Sequence, residues 1–269
     1  MKQFFSISSN PGTMGFTLYN NLFKKLRFNG TYKPLKIKKI DQILSLFEKK
    51  SFSGLSISMP FKSKILNLPC RFSRDVIKTS SCNTIVKKKD YYFGYNTDTI
   101  GISQKLKKLK IKKDTFFYIY GSGGFARSYC YALSKEGFKN IFIIIRNNLG
   151  KDKKVKLFKK ISTVKFLNNF PKKIPNKNCI INCSPIGMPH ITKGFLNNID
   201  TLKTTIYFEC VISPKITSNV QISLNRKIKT IYGYEIYFEQ FLSQFKLYTG
   251  FVVPKKYTLK LLNQIFDKK

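Results

Sequence analysis

Lys62, closing Ser56-Ile57-Ser58-Met59-Pro60-Phe61-Lys62, and Asp98, closing Gly94-Tyr95-Asn96-Thr97-Asp98, stand ahead of a glycine loop, Gly121-Ser122-Gly123-Gly124-Phe125-Ala126. A lysine and an aspartate can pass a proton to and from a hydroxyl, a contribution of roughly 10²–10⁴-fold where a reaction needs it. A glycine loop of this kind admits a dinucleotide pyrophosphate against backbone N–H groups. Together they point to hydride transfer, which holds an alcohol, a proton acceptor and a nicotinamide in one geometry. By spacing alone, a surface ion pair and a glycine-rich turn account for the same residues.

The elements around the loop give it context. Thr115 to Tyr120 is a β-rich apolar run, Ala126 to Lys135 follows helical spacing, and Asn140 to Arg146 reads as a second strand, which makes a βαβ unit of about 30 residues. Gly121 permits the tight turn, Gly123 lets backbone approach a phosphate, and Ala126 allows close helix-to-strand contact; Ser122, Gly124 and Phe125 complete the loop. An acid at the end of the second strand would take a ribose 2′-hydroxyl. Arg146-Asn147-Asn148 stands there instead, with Lys151 behind, and a cation favours a 2′-phosphate, hence NADP. Cys179 to Asn182 and Ile206 to Glu209 extend a parallel sheet.

Upstream, the pattern alternates strand and helix. Phe4 to Ser8, Tyr32 to Ile37 and Gly54 to Ser58 read as strands, while Leu18, Leu22, Phe23 and Leu26, then Ile43, Leu44 and Phe47, mark helices. Pro60 suits the first turn of a helix through Ile65 and Leu66, and Thr84 to Val86 with Tyr91 to Tyr95 suggests a hairpin. A helix from about Thr99 to Leu109 links the halves, and helices over Tyr237 to Thr249 and Tyr257 to Phe266 carry apolar faces that need a partner. The expected class is α/β: a substrate-binding and catalytic domain with a mixed, mostly parallel sheet over 1–102, a Rossmann-type NADP-binding domain over 103–236, and C-terminal helices over 237–269.

Composition narrows the classes of function. A chain of 269 residues with 42% hydrophobic content can bury a full core. A formal charge of +37 would suggest a polyanion partner, yet the lysines are spread in short runs such as Lys107-Lys108 and Lys153-Lys154, with no nucleic-acid-binding motif beside them. Six arginines stand against forty-four lysines, with two alanines and no tryptophan, the imprint of AT-rich coding rather than of a ligand. The expectation is a solvated basic surface and no nucleic-acid partner. The six cysteines form no CxxC pair, no leader is visible, and apolar runs such as Ile141 to Ile145 are short, so the protein is expected to be soluble and cytoplasmic, without metal or membrane anchor. His190, past a proline and a glycine, reads as a loop residue.

Several motifs follow one order: Ser58-Met59-Pro60-Phe61-Lys62, Cys82-Asn83-Thr84, Tyr95 to Asp98, the glycine loop, Asn182-Cys183-Ser184-Pro185-Ile186-Gly187-Met188, and Glu239-Gln240 with Phe245 to Gly250. In these the chain resembles the shikimate dehydrogenases, with their shikimate dehydrogenase-like relatives, over essentially its whole length. The resemblance implies reversible NADP-linked reduction of 3-dehydroshikimate to shikimate by an oxidoreductase acting on a CH–OH group. It implies Lys62 and Asp98 as the catalytic pair, Asn83 and Gln240 on ring hydroxyls, Ser58 in place of the family's threonine, and Ser184, Gly187 and Met188 beside the nicotinamide. It also implies C-terminal helices that return to the first domain, in a monomer or homodimer. One departure stands out. Where most members carry two serines for the substrate carboxylate, counting back from Tyr19-Asn20 gives Thr13 and Gly15, which leaves Thr13, with Ser8, Ser9 and Thr17, as candidates for that group. Gly15 is similar to the shikimate dehydrogenase-like branch and keeps a quinate or related polyol substrate as the alternative.

Overall fold

The first strands and helices follow the alternation of short apolar runs: β1 (Lys2–Ser8), α1 (Met14–Lys25), β2 (Gly30–Lys36), α2 (Ile40–Glu48) and β3 (Gly54–Ile57). In the computed structural model, which describes residues 1–49, 51–145, 151–199 and 204–267, the chain divides into two units, Met1–Thr97 with Phe241–Lys269, and Asp98–Gln240.

The first unit continues through β4 (Arg71–Phe72), α3 (Arg74–Thr79), β5 (Thr84–Lys87) and β6 (Tyr92–Tyr95). Its sheet runs β2-β1-β3-β5-β6-β4. The pairs β1/β2, β1/β3 and β4/β6 are parallel, while β3/β5 and the β5/β6 hairpin are antiparallel, so the sheet is mixed and mostly parallel as expected. Ile7, Ile43, Phe47, Leu55, Ile57, Phe61 and Ile85 fill its core. The helix expected after Pro60 is instead a turn leading to a 3₁₀ helix over Lys64–Asn67. Pro69 explains the shortfall: the residue before a proline is driven to extended backbone, and Leu68 sits at φ −94°, ψ 161°. β4 and α3, too short to show a period, were not expected from the sequence.

The chain enters the second unit inside α4 (Thr97–Leu109) and continues through β7 (Phe116–Tyr120), α5 (Gly124–Lys135), β8 (Ile141–Ile144), α6 (Lys151–Lys159), β9 (Lys165–Leu167), β10 (Asn178–Asn182), β11 (Ile206–Glu209), α7 (Ser218–Asn225) and β12 (Lys229–Ile231), leaving inside α8 (Gly233–Thr249); α9 (Lys255–Asp267) belongs to the first unit. The sheet, β12-β11-β10-β7-β8-β9, is parallel throughout. Its central strands are near-continuous apolar runs because both faces are covered. Phe117, Ile119, Ile181 and Phe208 pack with Ile102, Leu106, Ala126, Leu133 and Phe158 on one face. On the other, Tyr118, Ile180 and Tyr207 meet Leu196 and Val220.

Candidate active site

In the first unit, Ser58, Lys62 and Asn83 lie in the chain where β3 ends and β5 begins. The Ser58 N–H donates to the Ile7 carbonyl and the Ile57 N–H to the Asn83 carbonyl, each at 2.8 Å. Lys62 lies in the turn after β3, its carbonyl accepting from the Cys82 N–H at 2.8 Å, which sets its backbone beside the residue preceding Asn83. Burial pushes the Cys82 thiol pKa up, and the Lys62 charge draws it partly back. Asn83 is buried, with Oδ1 accepting from the Thr97 N–H (2.8 Å), the Thr97 hydroxyl (3.1 Å) and the Thr84 hydroxyl (2.9 Å). Asp98 follows Thr97 directly in the chain.

Gln244, absent from the sequence expectations, is a buried hub of the same unit. Its Oε1 accepts from the Tyr19 hydroxyl (2.8 Å) and the Ser56 hydroxyl (3.0 Å), while Nε2 donates to the Thr84 hydroxyl (2.6 Å) and the Asn83 carbonyl (3.3 Å). The available signal was its place on α8, one turn beyond Gln240.

Thr13 is exposed at the start of α1, its carbonyl accepting from the Thr17 hydroxyl at 3.2 Å. At Gly15, an added Cβ would lie 3.2 Å from Cε1 and 3.3 Å from the hydroxyl oxygen of Tyr32, whose ring stacks on Tyr19 at 4.1 Å between centroids. A serine side chain there would crowd the Tyr32 ring, which would have to give by a few tenths of an ångström.

In the second unit, Asp98 is buried in the first turn of α4. One turn along, a Cβ on Gly101 would sit 2.7 Å from the Gln240 N, so the glycine lets α8 approach α4 at Gln240. Ion pairs Lys105–Glu235 and Lys108–Glu239 tie the same two helices. Cys210 lies just past β11: burial raises that thiol's pKa most, followed by its contact with Cys183, and the negative charges of Glu209 and then Asp98 add to the rise. Cys183 and Cys210 stand 3.8 Å apart between sulfurs.

Cys183 leads to the glycine loop. Gly121 has φ +119°, and a Cβ there would lie 2.9 Å from the Cys183 carbonyl carbon and oxygen, so this turn needs glycine on both counts. Gly123 differs: it caps α5 with φ −76°, and a Cβ would meet nothing within 4 Å. Ala126 is fully buried against the sheet. Arg127, in the first turn of α5, is also buried, which lowers its pKa to about 10, and its Nη1 donates to the Ser122 carbonyl at 3.5 Å.

The segment 182–188 is held from below by a second residue that sequence reasoning passed over. Asn182 Oδ1 accepts from the Ser184 N–H (3.1 Å) and hydroxyl (2.7 Å), and its Nδ2 donates to the Ile186 carbonyl and to Glu209 Oε1, both at 2.8 Å. Glu209, fully buried, also accepts from the Val211 N–H (3.0 Å) and from the Tyr207 and Thr217 hydroxyls (2.8 Å each). Burial pushes its carboxyl above the ordinary range and these donors pull it partly back. Gly187, at φ +104°, leaves no space for a Cβ, which would lie 2.8 Å from Thr217 Cγ2; the Met188 N–H donates to the Pro185 carbonyl at 3.1 Å.

Arg146 and Asn147 lie outside the described residues, and Lys151 is described only as the start of α6. Among the described residues no group of three metal-ligating side chains exists, and no helix is long and apolar enough to cross a membrane.

A parallel sheet whose central strand runs into a glycine loop capping a helix defines a dinucleotide-binding unit. Residues 13–85 match the model of the shikimate dehydrogenase substrate binding domain. The chain is 31% identical over 185 residues to the shikimate dehydrogenase (NADP(+)) of Clostridium botulinum strain Hall, spanning 65% of this chain and 67% of that one. It is 26% identical over 255 residues to the shikimate dehydrogenase-like protein of Haemophilus influenzae, covering 91% and 89%. A solved shikimate 5-dehydrogenase-like structure superposes with a TM-score of 0.82 at 24% identity, covering 100% of this chain and 98% of that one, and so shares the fold. The chain belongs to the shikimate dehydrogenase family.

Proposed function

We propose that this chain catalyses the reversible NADP-linked interconversion of 3-dehydroshikimate and shikimate. The observation that most supports this is within the second unit: the Cys210 thiol, whose pKa the charges of Glu209 and the buried Asp98 help to raise, contacts Cys183, whose carbonyl abuts Gly121 of the glycine loop. In this reading Asp98 is the reacting carboxylate and the glycine loop the dinucleotide cradle, in a family whose Clostridium botulinum member is named for shikimate and NADP(+).

The loop fits the cofactor. The open space before Gly123 at the N-terminus of α5 suits an anion approaching backbone N–H groups. In this reading Gly121, Ser122, Gly123, Gly124, Phe125 and Ala126 shape the pyrophosphate seat, Arg146, Asn147 and Lys151 take the 2′-phosphate, and Ser184, Gly187 and Met188 border the nicotinamide. NADPH supplies the hydride that reduces the keto carbon. Lys62 and Asp98 hold the reacting oxygen and supply its proton, or remove it in the reverse direction. Asn83, Gln240 and Ser58 orient the ring hydroxyls, and Thr13 meets the carboxylate.

The test follows NADPH and NADH separately with 3-dehydroshikimate, and NADP⁺ with shikimate and quinate, for wild type, Lys62→Ala and Asp98→Asn. Losses on the order of 10²-fold or more are expected in both variants. Equal, slow oxidation of NADPH by all three proteins refutes the assignment.

A further inference from the structure

We propose that Gln244 is a positioning residue for substrate recognition, holding Asn83 so that it meets the ligand through Nδ2 as a hydrogen-bond donor and demands an acceptor oxygen there. This rests on the reading of Asn83 as a substrate-binding residue.

The argument is one of hydrogen-bond polarity. A backbone carbonyl only accepts, so the Gln244 atom 3.3 Å from the Asn83 carbonyl is the amide nitrogen, and Oε1 faces Tyr19 and Ser56. With the Ser56 proton spent on Oε1, the Tyr248 hydroxyl 2.9 Å away donates to Ser56. On the other side, Gln244 Nε2 donates to Thr84 Oγ1, which turns the Thr84 proton outward, toward Asn83 Oδ1 at 2.9 Å. The Thr97 N–H and hydroxyl converge on the same oxygen. Flipping the Asn83 amide would set its NH₂ against the Thr97 N–H, which cannot accept. Gln244 thus grips Asn83 twice, at its carbonyl directly and at its side chain through Thr84. A ring hydroxyl held here is bound through its lone pairs, and its own proton must find an acceptor elsewhere.

The test is a double-mutant cycle on steady-state kinetics with shikimate and NADP⁺, using wild type, Gln244→Leu, Asn83→Ala and the double variant. Losing the grip on Asn83 should raise KM for shikimate about tenfold and leave KM for NADP⁺ within about twofold. That rise should vanish in the Asn83→Ala background, because the residue through which Gln244 acts is gone. Gln244→Met keeps the length and fills the buried space but has no donor for Asn83 or Thr84, so it should fold if Gln244→Leu does not, and raise shikimate KM in the same sense. An equal rise with and without Asn83, a matching rise in KM for NADP⁺, or a folded Gln244→Met with wild-type shikimate KM each overturns the inference while wild type remains active. A wild type that turns over no shikimate overturns the functional reading, and this inference with it.

Discussion

Gly123→Ala separates cofactor binding from folding. The backbone at Gly123 is in a region open to any residue (φ −76°), and the added methyl meets nothing within 4 Å. Two small stability effects then oppose each other: alanine is a poorer N-cap than glycine by about 0.5–1 kcal/mol, and it removes a similar amount of unfolded-chain entropy. The net change should fall within about 0.5 kcal/mol. In the proposed reading the same methyl stands where a phosphate approaches the N–H groups of α5. Displacing that anion by about 1 Å forfeits about two charge-assisted hydrogen bonds at roughly 1.5 kcal/mol or more each, so the Kd for NADPH should rise on the order of 100-fold. Gly121→Ala is the contrasting control. Its φ of +119° and a 2.9 Å approach to the Cys183 carbonyl place the penalty in the fold, roughly 2–6 kcal/mol from backbone strain and overpacking together. Calorimetric titration with NADPH and urea denaturation read the two quantities separately. If Gly123→Ala binds NADPH within about threefold of wild type, the open space before α5 is not the phosphate seat and the cofactor assignment fails.

Other sites make equally direct predictions. Glu209→Gln should cost about 1–3 kcal/mol at neutral pH, because an amide retains the bonds from Asn182 and Val211 while the Tyr207 and Thr217 hydroxyls turn to accept. Since the folded-state pKa of Glu209 is raised, its titration contributes stability at low pH that is lost as pH rises from the unfolded carboxyl value through the folded one. The stability of wild type relative to Glu209→Gln should therefore decline with pH above about 4.5, and urea titrations in which the difference grows with pH would contradict this. Gly187→Ala should destabilise by about 2–4 kcal/mol, from φ +104° and the 2.8 Å approach to Thr217; unchanged denaturation would show that the loop rearranges freely. Gly15→Ser should cost about 1 kcal/mol, crowding against the Tyr32 ring outweighing the gain in helix propensity, and a stabilised variant would mean that Tyr32 moves aside.

The α/β class was legible because the strands that build the second sheet are apolar along their length: Phe117 to Tyr120, Ile141 to Ile144, Cys179 to Ile181 and Ile206 to Phe208 carry their own signal of burial on two faces. What escaped were elements whose stability comes from the neighbours they dock on. α6 reads Lys-Asp-Lys-Lys-Val-Lys-Leu-Phe-Lys, and Phe158 is its fully buried anchor, too little for a period to emerge. β9 and β12 are three residues each, edge strands recruited by register alone. Pro60 misled in the opposite sense. A proline suits the first turn of a helix, but the second proline, at position 69, left too few residues for one.

The site divides along the same line. The glycine loop could be read because its logic is local, a strand, a turn and a helix within about 30 residues. Gln244 and Glu209 could not, because their partners are distant: Gln244 reaches Asn83 across 161 positions, and Glu209 reaches Asn182 across 27. No spacing rule predicts such contacts, but a chemical one narrows them. Asn182 ends the run Asn-Cys-Ile-Ile-Asn and Glu209 ends Ile-Tyr-Phe-Glu, each a polar residue closing a strand otherwise too apolar to face water. A carboxylate there cannot remain buried without donors, and the parallel register that pairs Asn182 with Glu209 supplies the first of them. A lone acid at the carboxyl end of an apolar strand, beside a neighbouring strand that ends in an amide, is thus a readable sign of a braced loop. Here the loop it braces, 182–188, is the one that the family resemblance sets beside the nicotinamide.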